Sequence, residues 1–210
     1  YGVNGATSAE IAYMEGVETA DDVEIDQEHI DEGVMALAQE HPGDILVLEI
    51  GSNDGWDGDY DVLISQYRSM IELAGVSDYI IIGDTDDPGT SDADTEQSPD
   101  LSDSGGETAW EAALREAFGE HFINMRVYLI EHGLELCGLE ATETDEDDAA
   151  NGRVPTSLRY DWTHLNSYGY YAQAMGVFEK GVELGYWEGP SDAFMALWGP
   201  EEPRPAITQT

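Results

Sequence analysis

The chain has 210 residues, enough for one domain with a substantial core. Seven Lys and Arg against 46 Asp and Glu leave a net charge of −39 at pH 7. That charge excludes a protein that tracks nucleic-acid phosphates with clustered cations and opposes adsorption to an anionic membrane surface, and no apolar run is long enough to insert in a bilayer.

Residues 4–8, Asn4-Gly5-Ala6-Thr7-Ser8, read as a turn entering a helix. Over 27–40, Ile30, Val34, Leu37 and Ala38 form an amphipathic helical stripe, which His41-Pro42-Gly43 ends. The short apolar run 44–50 suits a buried parallel strand. Residues 61–74 are helical again, with Leu63, Tyr67, Met70, Ile71 and Ala74 on one face, and 79–83 is the next strand. The polar stretch 84–106, rich in Asp, Ser, Gly and Pro, reads as a long loop. Trp110, Leu114, Ala117 and Phe118 stripe a helix; a third strand is predicted over 122–127 and a helix over 128–137. Residues 140–152 read as a second acidic loop, and Tyr171, Met175, Phe178 and Val182 mark a last long helix. Strands alternating with helices predict an α/β domain over 1–190 with a parallel sheet and helices on both faces. Residues 191–210 are expected to form a short C-terminal helix around 194–198 and a Pro-rich tail.

Three segments stand where an open α/β sheet places its ligands, just beyond strand C-termini. They are 4–8, Gly51-Ser52-Asn53-Asp54-Gly55, and Asp161-Trp162-Thr163-His164. Asp161 and His164, three apart, can share one turn, where a carboxylate orients an imidazole to take a proton from a hydroxyl and return it to a leaving group. Asn53 offers an amide donor, and Gly5 a backbone N–H with no side chain to block close approach. Both suit an oxyanion hole.

These segments, in this order, resemble the blocks of the SGNH (GDSL-type) hydrolases, serine ester hydrolases with a flavodoxin-like three-layer αβα fold. Residues 4–11 resemble the second block, Gly51-Ser52-Asn53-Asp54 the third, and Asp161-Trp162-Thr163-His164-Leu165-Asn166 the fifth. The resemblance spans nearly the whole chain. It implies that Gly5 and Asn53 are the oxyanion donors, that Asp161 and His164 are the acid and base of a Ser-His-Asp triad, and that no cofactor takes part. Trp56, Asp54 and Ser8 are the substrate-pocket candidates. The implied substrate is a small acyl ester, an acetylated glycan or a short-chain lipid ester.

The first block of the family, a Gly-Asp-Ser that carries the nucleophile, has no counterpart before Gly5. Gly83-Asp84-Thr85 echoes it out of order, and Thr85 is read as a loop residue. The catalytic serine is therefore expected upstream of Tyr1, on a segment that pairs with this chain. The alternative is a non-catalytic SGNH-like binding or structural module without a nucleophile.

The single cysteine, Cys137, sits in an apolar stretch and is expected to be packed. No metal site is predicted: His29, His41, His121 and His132 share no ligand spacing, and the acidic stretches lack calcium-loop spacing. Tyr168, Tyr170 and Tyr171 are expected to pack along the last helix. The absence of a lysine-rich face and an N-terminal residue other than Met point to a secreted protein.

Overall fold

A computed structural model describes residues 3–18, 23–40, 43, 45–54, 60–85, 107–161 and 163–189. Helix α1 (Ser8–Glu15) starts at a reciprocal capping box: the Thr7 hydroxyl accepts from the Glu10 N–H, and the Glu10 carboxylate accepts from the Thr7 N–H. The helix predicted over 27–40 is interrupted. A 3-10 turn (Gln27–His29) ends at the extended Ile30, and α2 (Glu32–Glu40) starts afresh. The reason is local, since the Asp31 carboxylate accepts from the N–H groups of Gly33 and Val34 and so caps a new helix.

Strand β1 (Ile45–Leu48), helix α3 (Asp61–Ala74) and strand β2 (Asp78–Ile82) follow the predicted alternation, with α3 on its predicted bounds. Helix α4 (Ala109–Phe118) has its own capping box, Thr108 with Glu111. Strand β3 is only Phe122–Ile123, shorter than the predicted 122–127, because Asn124 turns the chain. Its side chain accepts from the Val127 N–H and caps α5 (Met125–Tyr128), which runs through a π turn (Leu129–Gly133) into α6 (Leu134–Cys137).

The acidic stretch expected to be a loop contains helix α7 (Glu143–Ala150), which corrects that expectation. Thr142 and Asp145 cap it reciprocally, and Glu143, Asp145 and Glu146 lie in its first turn, where the helix dipole favours negative charge. Two of its carboxylates are buried ties. Asp145 accepts from the N–H and hydroxyl of Ser157, and Asp148 from Thr156, Arg153 and Arg159. Helix α8 (Ser167–Glu183) closes the described chain, capped by Asn166. The stretches 86–106 and 190–210, with their predicted loop, short helix and tail, lie outside the described residues.

The three strands form a parallel sheet in the order β1-β2-β3, with Leu48 opposite Ile81 and Ile82 opposite Ile123. Side chains alternate across β2, as a strand's period of two requires. Ile81 faces a core with Leu48, Leu63, Tyr67, Leu114 and Phe118, from α3, α4 and β1. Ile80 and Ile82 face the other core, with Met125, Leu129, Leu158 and Ala172. Helices thus cover both faces of the sheet, with α1, α3 and α4 on one side and α5, α6 and α8 on the other. Cys137 is buried in the second core, where its thiol donates to the Tyr168 carbonyl.

A buried ion pair links α4 to α5. The Arg126 guanidinium meets Glu111 at 2.6 and 2.7 Å and also donates to the Gly152 carbonyl, with both side chains almost fully buried. Removing one partner strands the other's charge, so Arg126→Met is expected to cost about 3–5 kcal/mol of stability. Urea denaturation of the variant checks this, and a loss below about 1 kcal/mol would reject the assignment.

Candidate functional site

Strand β1 lies at an end of the sheet, and among the described residues no strand pairs with its outer edge. A groove of about 680 Å³ follows that edge from Ile45 to Asn53. Ile11 and Ala38 form one wall, Tyr170 and Gln173 the other. Val47, mid-strand, is 42% exposed along it, high for the centre of a strand in an α/β sheet.

Residues from all three segments singled out in the sequence line this groove. Gly5, Asn53 and His164 all line it, as do Ser52 and Thr85. Asn53 and Thr85 sit just past the C-terminal ends of β1 and β2, where a parallel sheet presents loop residues to ligands.

His164 stands on a tight turn. Its Nδ1 lies 2.9 and 3.0 Å from the two Asp161 carboxylate oxygens, and Asp161 Oδ1 also accepts from the N–H groups of His164 (2.7 Å) and Thr163 (3.0 Å). Desolvation pushes the Asp161 carboxyl up, but the His164 N–H, the imidazole and the Thr163 N–H outweigh it and hold the group below the usual carboxylate range. An ionised Asp161 makes Nδ1 the donor, which leaves the lone pair on Nε2 as the base. Both side chains are about half exposed, so the pair orients the ring and adds little stability.

Gly5 adopts φ +78°, a conformation that glycine reaches without strain. Asn53 Nδ2 donates to the Ala6 carbonyl at 3.0 Å, tying the Gly5 turn to the turn after β1. An amide nitrogen carries two hydrogens, so a second donor remains for a ligand. The turn after β1 is braced from below: the buried Tyr67 hydroxyl accepts from the Ile50 N–H (3.1 Å) and donates to the Ile50 carbonyl (3.0 Å).

Ser8 and Asp54, both pocket candidates, engage each other instead. Ser8 is fully buried, and its N–H and hydroxyl each donate to Asp54 at 2.8 Å. Desolvation raises the Asp54 carboxyl, against those two bonds. Neither residue lines the groove, and together they lock the start of α1 onto the turn after β1. Trp56 lies outside the described residues. Tyr170, expected to pack along its helix, is instead 53% exposed and faces the groove.

Glu49, Gln173 and Asp84 were not visible as a site in the sequence. Glu49 follows β1 and lines the groove, where Gln173 Nε2 donates to both its oxygens at 3.0 and 2.9 Å. By surface area Glu49 is exposed, yet neighbouring chain crowds its carboxylate. Poor hydration first, then the charge of Asp84, push its carboxyl up to about 7, against the Gln173 bonds. The one signal was a charged residue inside an otherwise apolar run, Ile45-Leu46-Val47-Leu48-Glu49-Ile50. The sign of the effect on stability follows from linkage. The folded state holds this proton to higher pH than the unfolded chain, so stability falls as pH rises from the ordinary carboxyl range through about 7. Glu49→Gln is expected to flatten the decline in melting temperature between pH 5 and 8 relative to the parent. Parallel curves for the two proteins would remove Glu49 as the cause.

Among the described residues no group of three or more His, Cys, Asp and Glu side chains is arranged to hold a metal ion, and no helix is long and apolar enough to cross a membrane. No hydroxyl of the described residues hydrogen-bonds to His164 Nε2, although Ser52 and Thr85 share its cavity. Comparison of the chain with protein-family models, curated proteins and solved structures gives no match.

Proposed function

We propose that this chain is the body of an SGNH-type serine ester hydrolase with a flavodoxin-like three-layer fold. The observation that carries the proposal is the oriented Asp161–His164 pair in one cavity with Gly5 and Asn53. A general base and two oxyanion donors around one space form the machinery of acyl transfer, less only the nucleophile.

In this reading a serine, carried on an extended segment lying in the groove beside β1, attacks the ester carbonyl. His164 Nε2 takes the serine proton as the C–O bond forms, and the carbonyl π electrons move onto oxygen. The Gly5 N–H and the Asn53 amide hold that oxyanion. Collapse of the intermediate breaks the ester C–O bond, and the alkoxide leaves with the proton from His164. Water then repeats the sequence on the acyl-enzyme, releasing the acid and restoring the serine. The outer edge of β1, which no strand pairs among the described residues, supports the strand placement, because unpaired ladder groups beside a groove are a template for a further strand. The net charge of −39 disfavours polyanionic substrates and leaves neutral acyl esters, of glycans or of short-chain lipids, as the substrate class.

The second reading, a binding module without a nucleophile, is favoured by one observation, the absence of a hydroxyl bonded to His164 Nε2 among the described residues. Labelling the encoded protein with a fluorophosphonate and mapping the adduct by peptide mass spectrometry separates the two. An adduct on a Gly-Asp-Ser peptide supports the hydrolase. An adduct on Thr85 would reassign the nucleophile to the turn after β2. The buried Ser8 is not expected to react. A folded protein that takes no label would favour the binding module.

A further inference from the structure

The chain carries a second carboxylate–imidazole pair, on the far side of Gly5. The Glu10 carboxylate is buried, 3% exposed, and collects three donors. Oε2 accepts from the Thr7 N–H and faces His29 Nδ1, both at 2.8 Å, and Oε1 accepts from the Asp26 N–H at 2.9 Å. One side chain thus ties the start of α1, the residue that caps the 27–29 turn and the imidazole into one unit. Desolvation pushes the Glu10 carboxyl up, but the bonds from Thr7, Asp26 and His29 outweigh it and hold the group below its ordinary range. Facing an ionised carboxylate, Nδ1 carries its proton, so the ring is fixed in both tautomer and orientation.

The other end of that ring meets Gly5. A Cβ built on Gly5 would lie 3.3 Å from His29 Nε2 and within 4 Å of both carbons flanking that nitrogen. The ring therefore occupies the side of Gly5 where a side chain would stand, while Gly5 itself lines the groove. A glycine left unbraced populates both signs of φ, and rotation about its backbone swings the N–H away from any fixed point. An oxyanion donor works only when it is aimed before charge develops. The Gly5 turn is closed by the Ala6 N–H donating to the Val3 carbonyl at 3.2 Å and tied by Asn53 at the Ala6 carbonyl, and His29 adds an independent third support at the glycine itself.

We infer that His29, anchored by Glu10, is a positioning residue that holds the Gly5 N–H toward the groove. The inference rests on Gly5 being an oxyanion donor, as proposed above. It makes no use of His29 as an acid or base.

Two variants separate positioning from simple anchoring. His29→Asn keeps an amide near the place of Nδ1, able to donate to Glu10, but lacks the part of the ring that faces Gly5. His29→Ala loses both. In the encoded protein, with an acetyl ester as substrate, both variants are expected to lower kcat ~10- to 100-fold with KM nearly unchanged, since a misaimed donor costs up to as much as a missing one. His29→Asn is expected to keep most of the parent melting temperature, whereas His29→Ala loses part of it. Wild-type kcat in His29→Asn would overturn the inference and leave His29 as an anchor for Glu10 alone. The Gly5 amide cross-peak in a ¹H–¹⁵N spectrum gives a readout independent of turnover. It should move in His29→Asn while the cross-peaks of α3 and α8 stay in place, and an unmoved Gly5 peak overturns the inference. If the parent protein neither hydrolyses esters nor takes a fluorophosphonate label, the proposed function fails, and the Gly5 cross-peak still decides whether His29 braces the turn.

Discussion

Replacing His164 with Ala is expected to lower kcat for ester hydrolysis by about 10⁴-fold or more and to leave the fold intact. The size of the loss follows from chemistry. A serine hydroxyl is a weak nucleophile near neutral pH, and without a base it must shed its proton to water as it attacks. The fold should survive because the imidazole is 57% exposed and its described side-chain hydrogen bonds go only to Asp161. The backbone bonds that shape the turn, from the His164 and Thr163 N–H groups to Asp161, do not need the ring. Asp161→Asn tests the same unit from the other side. An amide in that place can present NH₂ to Nδ1 and favour the tautomer with the proton on Nε2, which silences the base, so a loss of similar order is expected. Circular dichroism and thermal melting establish that each variant is folded, and steady-state hydrolysis of an acetyl ester gives kcat. Retention of even a tenth of the parent kcat in His164→Ala would remove the pair from the mechanism.

Asn53→Ala is expected to lower kcat by roughly 10²–10³-fold with KM changed little, the signature of a donor that matters only once the oxyanion exists. The structure adds a second consequence. Asn53 Nδ2 also donates to the Ala6 carbonyl, so the variant loosens the Gly5 turn as it removes its own donor. The effects of Asn53→Ala and His29→Asn should therefore be less than additive, because both act through the position of the Gly5 N–H. Stability should fall only slightly, by about 0.5–1.5 kcal/mol, the usual net value of one hydrogen bond. An unchanged kcat in Asn53→Ala would leave Gly5 as the only proposed donor and reopen the geometry of the site.

Much of this was legible in the order of residues. Helical stripes placed α3 and α4, and short apolar runs placed β1 and β2, because burial of one face imposes its period directly on the sequence. The Asp-x-x-His spacing was readable for a related reason, since three residues on one turn bring a carboxylate to an imidazole without help from the rest of the fold. The errors have a common cause as well. A stripe of apolar residues ran unbroken past Asp31, and a strand pattern ran past Asn124, yet in each place a single side chain caps backbone N–H groups and starts a new helix. The acidic stretch after residue 140 looked like a solvated loop because its charges hid a capping box and two buried carboxylates.

The chain's composition and local patterns by themselves determined an acidic α/β domain, its alternation of strands and helices, and the pairing of Asp161 with His164. Those properties depend on burial period and on neighbours within a turn, which sequence spacing encodes. Tertiary structure alone decided that Gly5, Asn53 and His164 share one groove, that Ser8 and Asp54 bind each other, and that no strand among the described residues pairs with the outer edge of β1. It also decided that desolvation and the nearby Asp84 push the Glu49 carboxyl up and that His29 stands against Gly5. Each of these depends on which distant segments fold against one another, and so on desolvation and contact across the chain, quantities that no local window of sequence contains.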